Sequence, residues 1–149
     1  MEDSTNIFIQ IDTESVLYYG ERPSEDQVSA HTLIYNQGSM ALGNAVKDFG
    51  TNIYDKQDIY FTILPLKLFS NHKIYLTDFK VLNDPGDKIK FSPAAMESNC
   101  VTFKITIEAG VPDAELTFGL YAIIQHVKDN KIIETPIYID PVLRIKQRI

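Results

Sequence analysis

The side chains best suited to bind a metal, or to serve as nucleophile and base, are three histidines, His31, His72 and His126, and one cysteine, Cys100. Zinc sites usually show ligand pairs only a few residues apart. None of these four positions lies near another, so no metal site is expected. His31 opens a strand-like run, His72 follows Ser70-Asn71 in a turn-like stretch, and His126 ends an alternating row. A thiol becomes a nucleophile when a nearby base or cation activates it. Cys100 instead starts a run in which Val101 and Phe103 point to a core, the setting of a buried, inert thiol.

The carboxylates fall into small groups. Asp12 and Glu14 follow the first strand-like run, Glu21, Glu25 and Asp26 lie in a polar loop, and Asp84 and Asp87 flank Pro85-Gly86. Paired acids can do glycosidase chemistry, and a dense oxygen-ligand loop can hold calcium, but neither arrangement follows from these spacings. Caps and solvated turns account for them, and for Asp12 and Thr13 the expectation is a local cap or Asx-type turn rather than a ligand. Gly38, Gly43 and Gly50 are too dispersed to cradle a phosphate. Tyr18, Tyr19, Tyr35, Tyr54 and Tyr60 are available either to a core or to an aromatic surface for a sugar or a partner protein.

Strands must position whatever chemistry there is. In Val101 to Glu108 every odd position is apolar and every even one polar, the period-two pattern of a half-buried antiparallel strand. In Leu116 to His126 the even positions Leu116, Phe118, Leu120, Ala122 and Ile124 form an apolar row beside a mixed one, which predicts a central strand. Asp129-Asn130 then turns the chain into Lys131 to Thr135 as a hairpin, a run that Pro136 is expected to end. Further strands are expected at Ile7 to Ile11, His31 to Tyr35, Asp58 to Leu64, Lys73 to Leu82 and Ile137 to Ile145. Between Leu76 and Phe79 the apolar phase shifts, predicting a bulge around Thr77-Asp78. Turns are expected at Asn36 to Ser39, Asn83 to Asp87 and Gly110 to Asp113. Short helical turns are expected only at Thr13 to Tyr19 and Ser92 to Ser98. Many short strands separated by turns predict an all-β protein, an antiparallel β-sandwich spanning residues 1–149 as one domain.

Composition narrows the function classes. A chain of 149 residues with 44% hydrophobic content can build a core without disulfide or metal staples. Eight phenylalanines and eight tyrosines favour sheet. With 20 acidic against 14 basic residues and a net charge of −6, it has no cationic excess to displace counterions from a phosphate backbone. Nucleic acid and anionic membrane are therefore not expected partners. No apolar run approaches the ~20 residues needed to cross a bilayer. The opening Met1-Glu2-Asp3-Ser4-Thr5 is acidic and polar, unlike a secretory signal, and the single cysteine suits a reducing compartment, so a cytoplasmic protein is expected.

Two stretches carry a family resemblance. Ile9-Gln10-Ile11-Asp12-Thr13-Glu14-Ser15-Val16-Leu17 is similar to the opening strand and Ile-Asp-Thr turn of the bacterial AidA/PixA inclusion-body family. Leu116 to Tyr121, then Asp129-Asn130-Lys131, then Tyr138-Ile139-Asp140-Pro141-Val142-Leu143 resemble its closing hairpin and terminal Asp-Pro strand. Ala41-Leu42-Gly43-Asn44 and Asp58 to Thr62 occupy comparable places between them. The family usually carries tryptophan near the middle strand and beside the Asp-Pro pair; this chain has none, and Tyr60 and Tyr138 stand in those neighbourhoods. The resemblance implies a β-sandwich without catalytic activity, and some members accumulate as inclusions. It marks Asp12, Thr13, Tyr138, Asp140 and Pro141 as signature residues, with a structural or a ligand role left open.

Together these readings predict a non-enzymatic, cofactor-free protein that associates with itself into homo-oligomers or ordered intracellular inclusions. The alternative is a lectin-like or other small-ligand module. It would use end-loop tyrosines with Asp12, Asp84, Asp87 or Asp140 to bind a carbohydrate or cation.

Overall fold

The computed structural model describes residues 4–36, 40–43, 46, 50–53, 56–67, 71–83, 88–111, 113–139 and 142–145, with residues 4, 50–53 and 142–145 described by their backbone alone. The chain order is β1 (Ser4–Ile11), α1 (Thr13–Leu17), α2 (Glu25–Ser29), β2 (Thr32–Tyr35), β3 (Met40–Leu42), β4 (Gly50–Ile53), β5 (Gln57–Pro65), β6 (Lys73–Val81), β7 (Ile89–Pro93), β8 (Thr102–Gly110), β9 (Glu115–Lys128), β10 (Lys131–Ile139) and β11 (Val142–Ile145). One sheet has the order β3-β2-β1-β5-β8-β7. The other is built on β9, which carries β6 on one edge. On its opposite edge lies β10, followed in the same register by β11, and β4 lies beyond β11.

The all-β sandwich expected from the alternation is what the chain forms. The even residues of β9 from Leu116 to Ile124 are buried, and they face the buried odd rows Ile7, Ile9 and Ile11 of β1, Ile59, Phe61 and Ile63 of β5, and Phe103, Ile105 and Ile107 of β8. The ring of Phe61 meets that of Phe118 edge-on at 5.1 Å, and Phe79 packs against both Phe103 and Phe118, so aromatic rings bridge the two layers. The bulge falls where the apolar phase shifts, between Leu76 and Asp78. Asp129 and Asn130 form the two-residue hairpin loop, both with positive φ, as a type I′ turn requires.

Several expectations are corrected. The sheets are mixed: β1 runs parallel to β5, and β4 parallel to β11. Period-two alternation is the same in either orientation, so residues alone do not distinguish them. Pro136 does not end its strand but sits inside β10, paired with Ile123. Among the described residues β10 pairs only with β9, and an edge strand tolerates proline because the missing N–H can face away from the ladder. Ser92 to Ser98 holds no helix; Ser92 and Pro93 finish β7, which pairs with β8. The second helix is α2, inside the stretch read as a polar loop. There Ser24 and Gln27 form a reciprocal capping box, and Val28 is buried.

Val101 is exposed rather than core-facing, because β8 begins one residue later. Three further strands, β3, β4 and β7, had not been expected. The turns expected at Asn36 to Ser39, Asn83 to Asp87 and Gly110 to Asp113 lie in part outside the described residues.

Candidate functional site

One end of the sandwich gathers the three histidines with Asp12, Thr13 and Glu14. β1 and β5 run parallel and finish there, β6 starts there, and β9 arrives there from the other sheet. Asp12 follows β1 directly and acts as N-cap of α1. Its Oδ1 accepts from the Ser15 backbone N–H at 3.3 Å, and its Oδ2 accepts from the Ser15 hydroxyl at 2.8 Å. A capping carboxylate satisfies a helix donor that would otherwise lack a partner.

Thr13 begins α1 and is only 3% exposed. Its Oγ1 lies 2.7 Å from Nδ1 of His72, the residue just before β6, so one hydrogen bond ties the turn after the first sheet to the second sheet. His72 in turn meets His126: the ring centroids are 5.8 Å apart and the planes stand at 74°. The register explains this contact. Lys73 pairs with Gln125 and Ile74 with Ile124, so the next step out places His72 across from His126. Both histidines continue the rows that hold the buried Ile74 and Ile124 and close the core at this end, half-buried. Burial, then His72, then Lys128 push the pKa of His126 below the ordinary imidazole value.

The third histidine takes a separate partner at the same end. His31 follows α2; its Nε2 lies 3.0 Å from the Tyr19 hydroxyl, and its backbone carbonyl accepts from the Asp12 N–H at 2.9 Å. Glu14 and Lys67 form an ion pair at 2.9 Å between α1 and the segment after β5. Both groups are well exposed, so the pair adds little stability.

The signature residues do not form one site. Tyr138 lies on the outer face of the second sheet, opposite Tyr121, with ring centroids 4.8 Å apart. Its ring covers Gly119, where a Cβ would overlap Cε1 and Oη of Tyr138. This packing is five ladder steps from the pairing of Ile133 with His126, away from the Asp12-Thr13 turn. Asp140 and Pro141 lie outside the described residues, as do Asp84, Asp87 and Tyr54.

Tyr35 stacks on Phe8 at 5.4 Å, and Tyr60 sits half-buried across from Lys104. Tyr18 is 89% exposed. Cys100 is half-buried rather than fully buried, and its thiol donates to the Leu76 carbonyl at 3.7 Å. Burial pushes its pKa up, which keeps it protonated and weakly nucleophilic. Among the described residues, no three His, Cys, Asp or Glu side chains are grouped to hold a metal ion.

These features define a β-sandwich of mixed sheets, closed at one end by a capped helical turn and a cross-strand histidine pair. Among solved structures the chain is similar to the crystal structure of an inclusion body protein (PixA) from Burkholderia cenocepacia J2315. The TM-score is 0.71 and the identity 13%, and the match covers 97% of this chain and 96% of that one. The resemblance read from Ile9 to Leu17 and from Leu116 through Asp129-Asn130-Lys131 to Leu143 is thus borne out as a likeness of fold. No protein-family model matches the sequence, and no curated protein matches it.

Proposed function

We propose that this chain is a non-enzymatic, self-associating protein of the bacterial cytoplasm that forms homo-oligomers or ordered inclusions. The observation that carries the reading is the likeness of fold to an inclusion body protein over nearly the full length of both chains. Fold alone does not fix function, so the surface has to agree with the reading. At the end described above Tyr18, Leu66, Val127 and Ile132 are all exposed, on loops and on the tip of the β9–β10 hairpin. With Met40 and Leu42 of β3 and with Leu82, Val101 and Val111, they leave apolar surface on several parts of the molecule for protein association. Burial raises the pKa of the Cys100 thiol, and the Asp12 carboxylate caps α1, both in keeping with a non-enzymatic reading.

Light scattering on the purified protein across a concentration series, in EDTA to remove metal ions, tests the proposal. The expected result is a mass that rises above the monomer to a defined oligomer or a growing assembly. A monomer at every concentration would overturn it.

A further inference from the structure

We propose that His72 and His126 form a two-histidine site for a divalent transition-metal ion of the Zn²⁺, Ni²⁺ or Cu²⁺ class, with water in the remaining coordination positions. Three features of the pair support this. The first is placement: His72, just before β6, lies one step beyond the Lys73–Gln125 pair and beside His126 of β9. The end of the β6–β9 ladder and the Thr13 hydrogen bond to His72 place both imidazoles side by side before any ligand arrives, which lowers the ordering cost of binding.

The second is separation. Two imidazoles sharing one tetrahedral ion, with metal–nitrogen bonds of about 2.0–2.1 Å, have ring centroids roughly 5 Å apart, a few tenths of an ångström closer than this pair stands before binding. The observed separation is 5.8 Å. The third is orientation. Metal-bound histidines characteristically use their second ring nitrogen in a hydrogen bond that fixes the tautomer. Thr13, itself buried, holds Nδ1 of His72 at 2.7 Å. With the proton on Nδ1 donated to Thr13 Oγ1, the lone pair is left on Nε2, the atom available to the ion.

Imidazole nitrogen suits metals of this class, whereas Mg²⁺ and Ca²⁺ require oxygen ligands that the pair does not supply. Both rings are half-buried, so solvent reaches them and can complete the coordination shell. Thr13 is a positioning residue here, and His31, engaged with Tyr19, stands outside the site.

Calorimetric titration of the folded protein with ZnCl₂ and with NiCl₂ tests the site, together with imidazole ¹H–¹⁵N spectra of the unsubstituted chain. The expected result is one ion bound per chain. Affinity should fall at least tenfold in His72→Gln and in His126→Gln, fall measurably in Thr13→Val with recovery in Thr13→Ser, and stay unchanged in His31→Gln. In the spectra the signals of His72 and His126 should move and those of His31 stay in place. Because the spectra need no substitution, a variant that fails to fold leaves the test intact. Absence of binding at millimolar metal, equal movement of all three histidines, or undiminished affinity in the His72→Gln/His126→Gln double variant would overturn the site. The metal-free scattering series addresses self-association separately, so either proposal can fail without the other.

Discussion

At the scale of single residues, the neighbours of His126 make stability depend on pH. Its folded pKa lies below the ordinary value of 6.5, because burial and then the charges of His72 and Lys128 oppose protonation, while Ile133 across the strand on β10 supplies no charge. The unfolded chain therefore binds this proton more readily than the native one, and stability rises with pH wherever that difference persists. The contribution is complete above pH 6.5 and is lost as pH falls through the lower, folded pKa. Thermal unfolding between pH 5 and 8 should show a steeper loss of Tm below about pH 6.5 for the natural chain than for His126→Gln. Parallel curves for the two would refute the assignment. Gly119 supplies a second test. Its backbone takes the Tyr138 ring at close approach, and that ring is braced by Tyr121. Gly119→Ala should destabilise by about 1–3 kcal/mol, the usual range for overpacking. Urea unfolding reads the loss, which should shrink in a Tyr138→Ala background; an equal loss in both backgrounds would mean that the overlap is not its cause.

At the scale of elements, legibility followed the strength of the local signal. The β9–β10 hairpin was readable from Asp129-Asn130 without glycine because these two residue types tolerate the left-handed region, where they sit at φ 52° and 62°. Asn130→Ala removes that tolerance and should lower stability by about 1 kcal/mol, read from a shift of the denaturation midpoint at unchanged slope. The bulge was readable because Leu76 and Phe79 are out of phase. β3 has three residues and β4 is the mostly polar Gly50–Ile53, too little pattern for either to stand out. β7 was obscured by the Pro93-Ala94-Ala95 that ends it, and the capping box of Ser24 and Gln27 passed as polar loop because its helix is only five residues long. The candidate site depends on pairing rather than on local pattern. Positions 13, 72 and 126 carry no shared signal along the chain, and His72 faces His126 only once β6 is known to pair with β9 in this register. Residue types identify the three histidines as the groups to watch, and spacing along the chain carries no sign that two of them meet.

At the scale of the whole molecule, the sandwich depends on contacts between distant segments. Rings from β5, β6, β8 and β9 interlock between its layers, and the turn after β1 is bonded to the residue that leads into β6. The parallel partnerships have a further consequence, for how the protein is made. A hairpin such as β9–β10 closes within microseconds of emerging from the ribosome, since its strands are neighbours in sequence. β4 is different: among the described strands its only partner is β11, and its first residue, Gly50, pairs with Val142, 92 positions later (142 − 50). At about 5–20 residues per second, the ribosome takes roughly 5–20 s to supply that partner. Before that, until β9 is made, a nascent chain can hold β1, β2, β3 and β5 together with Ile7, Ile9, Ile11, Ile59, Phe61 and Ile63 on a face that β9 has yet to cover. Chains growing side by side on one messenger thus display their sticky inner faces to one another before either can close.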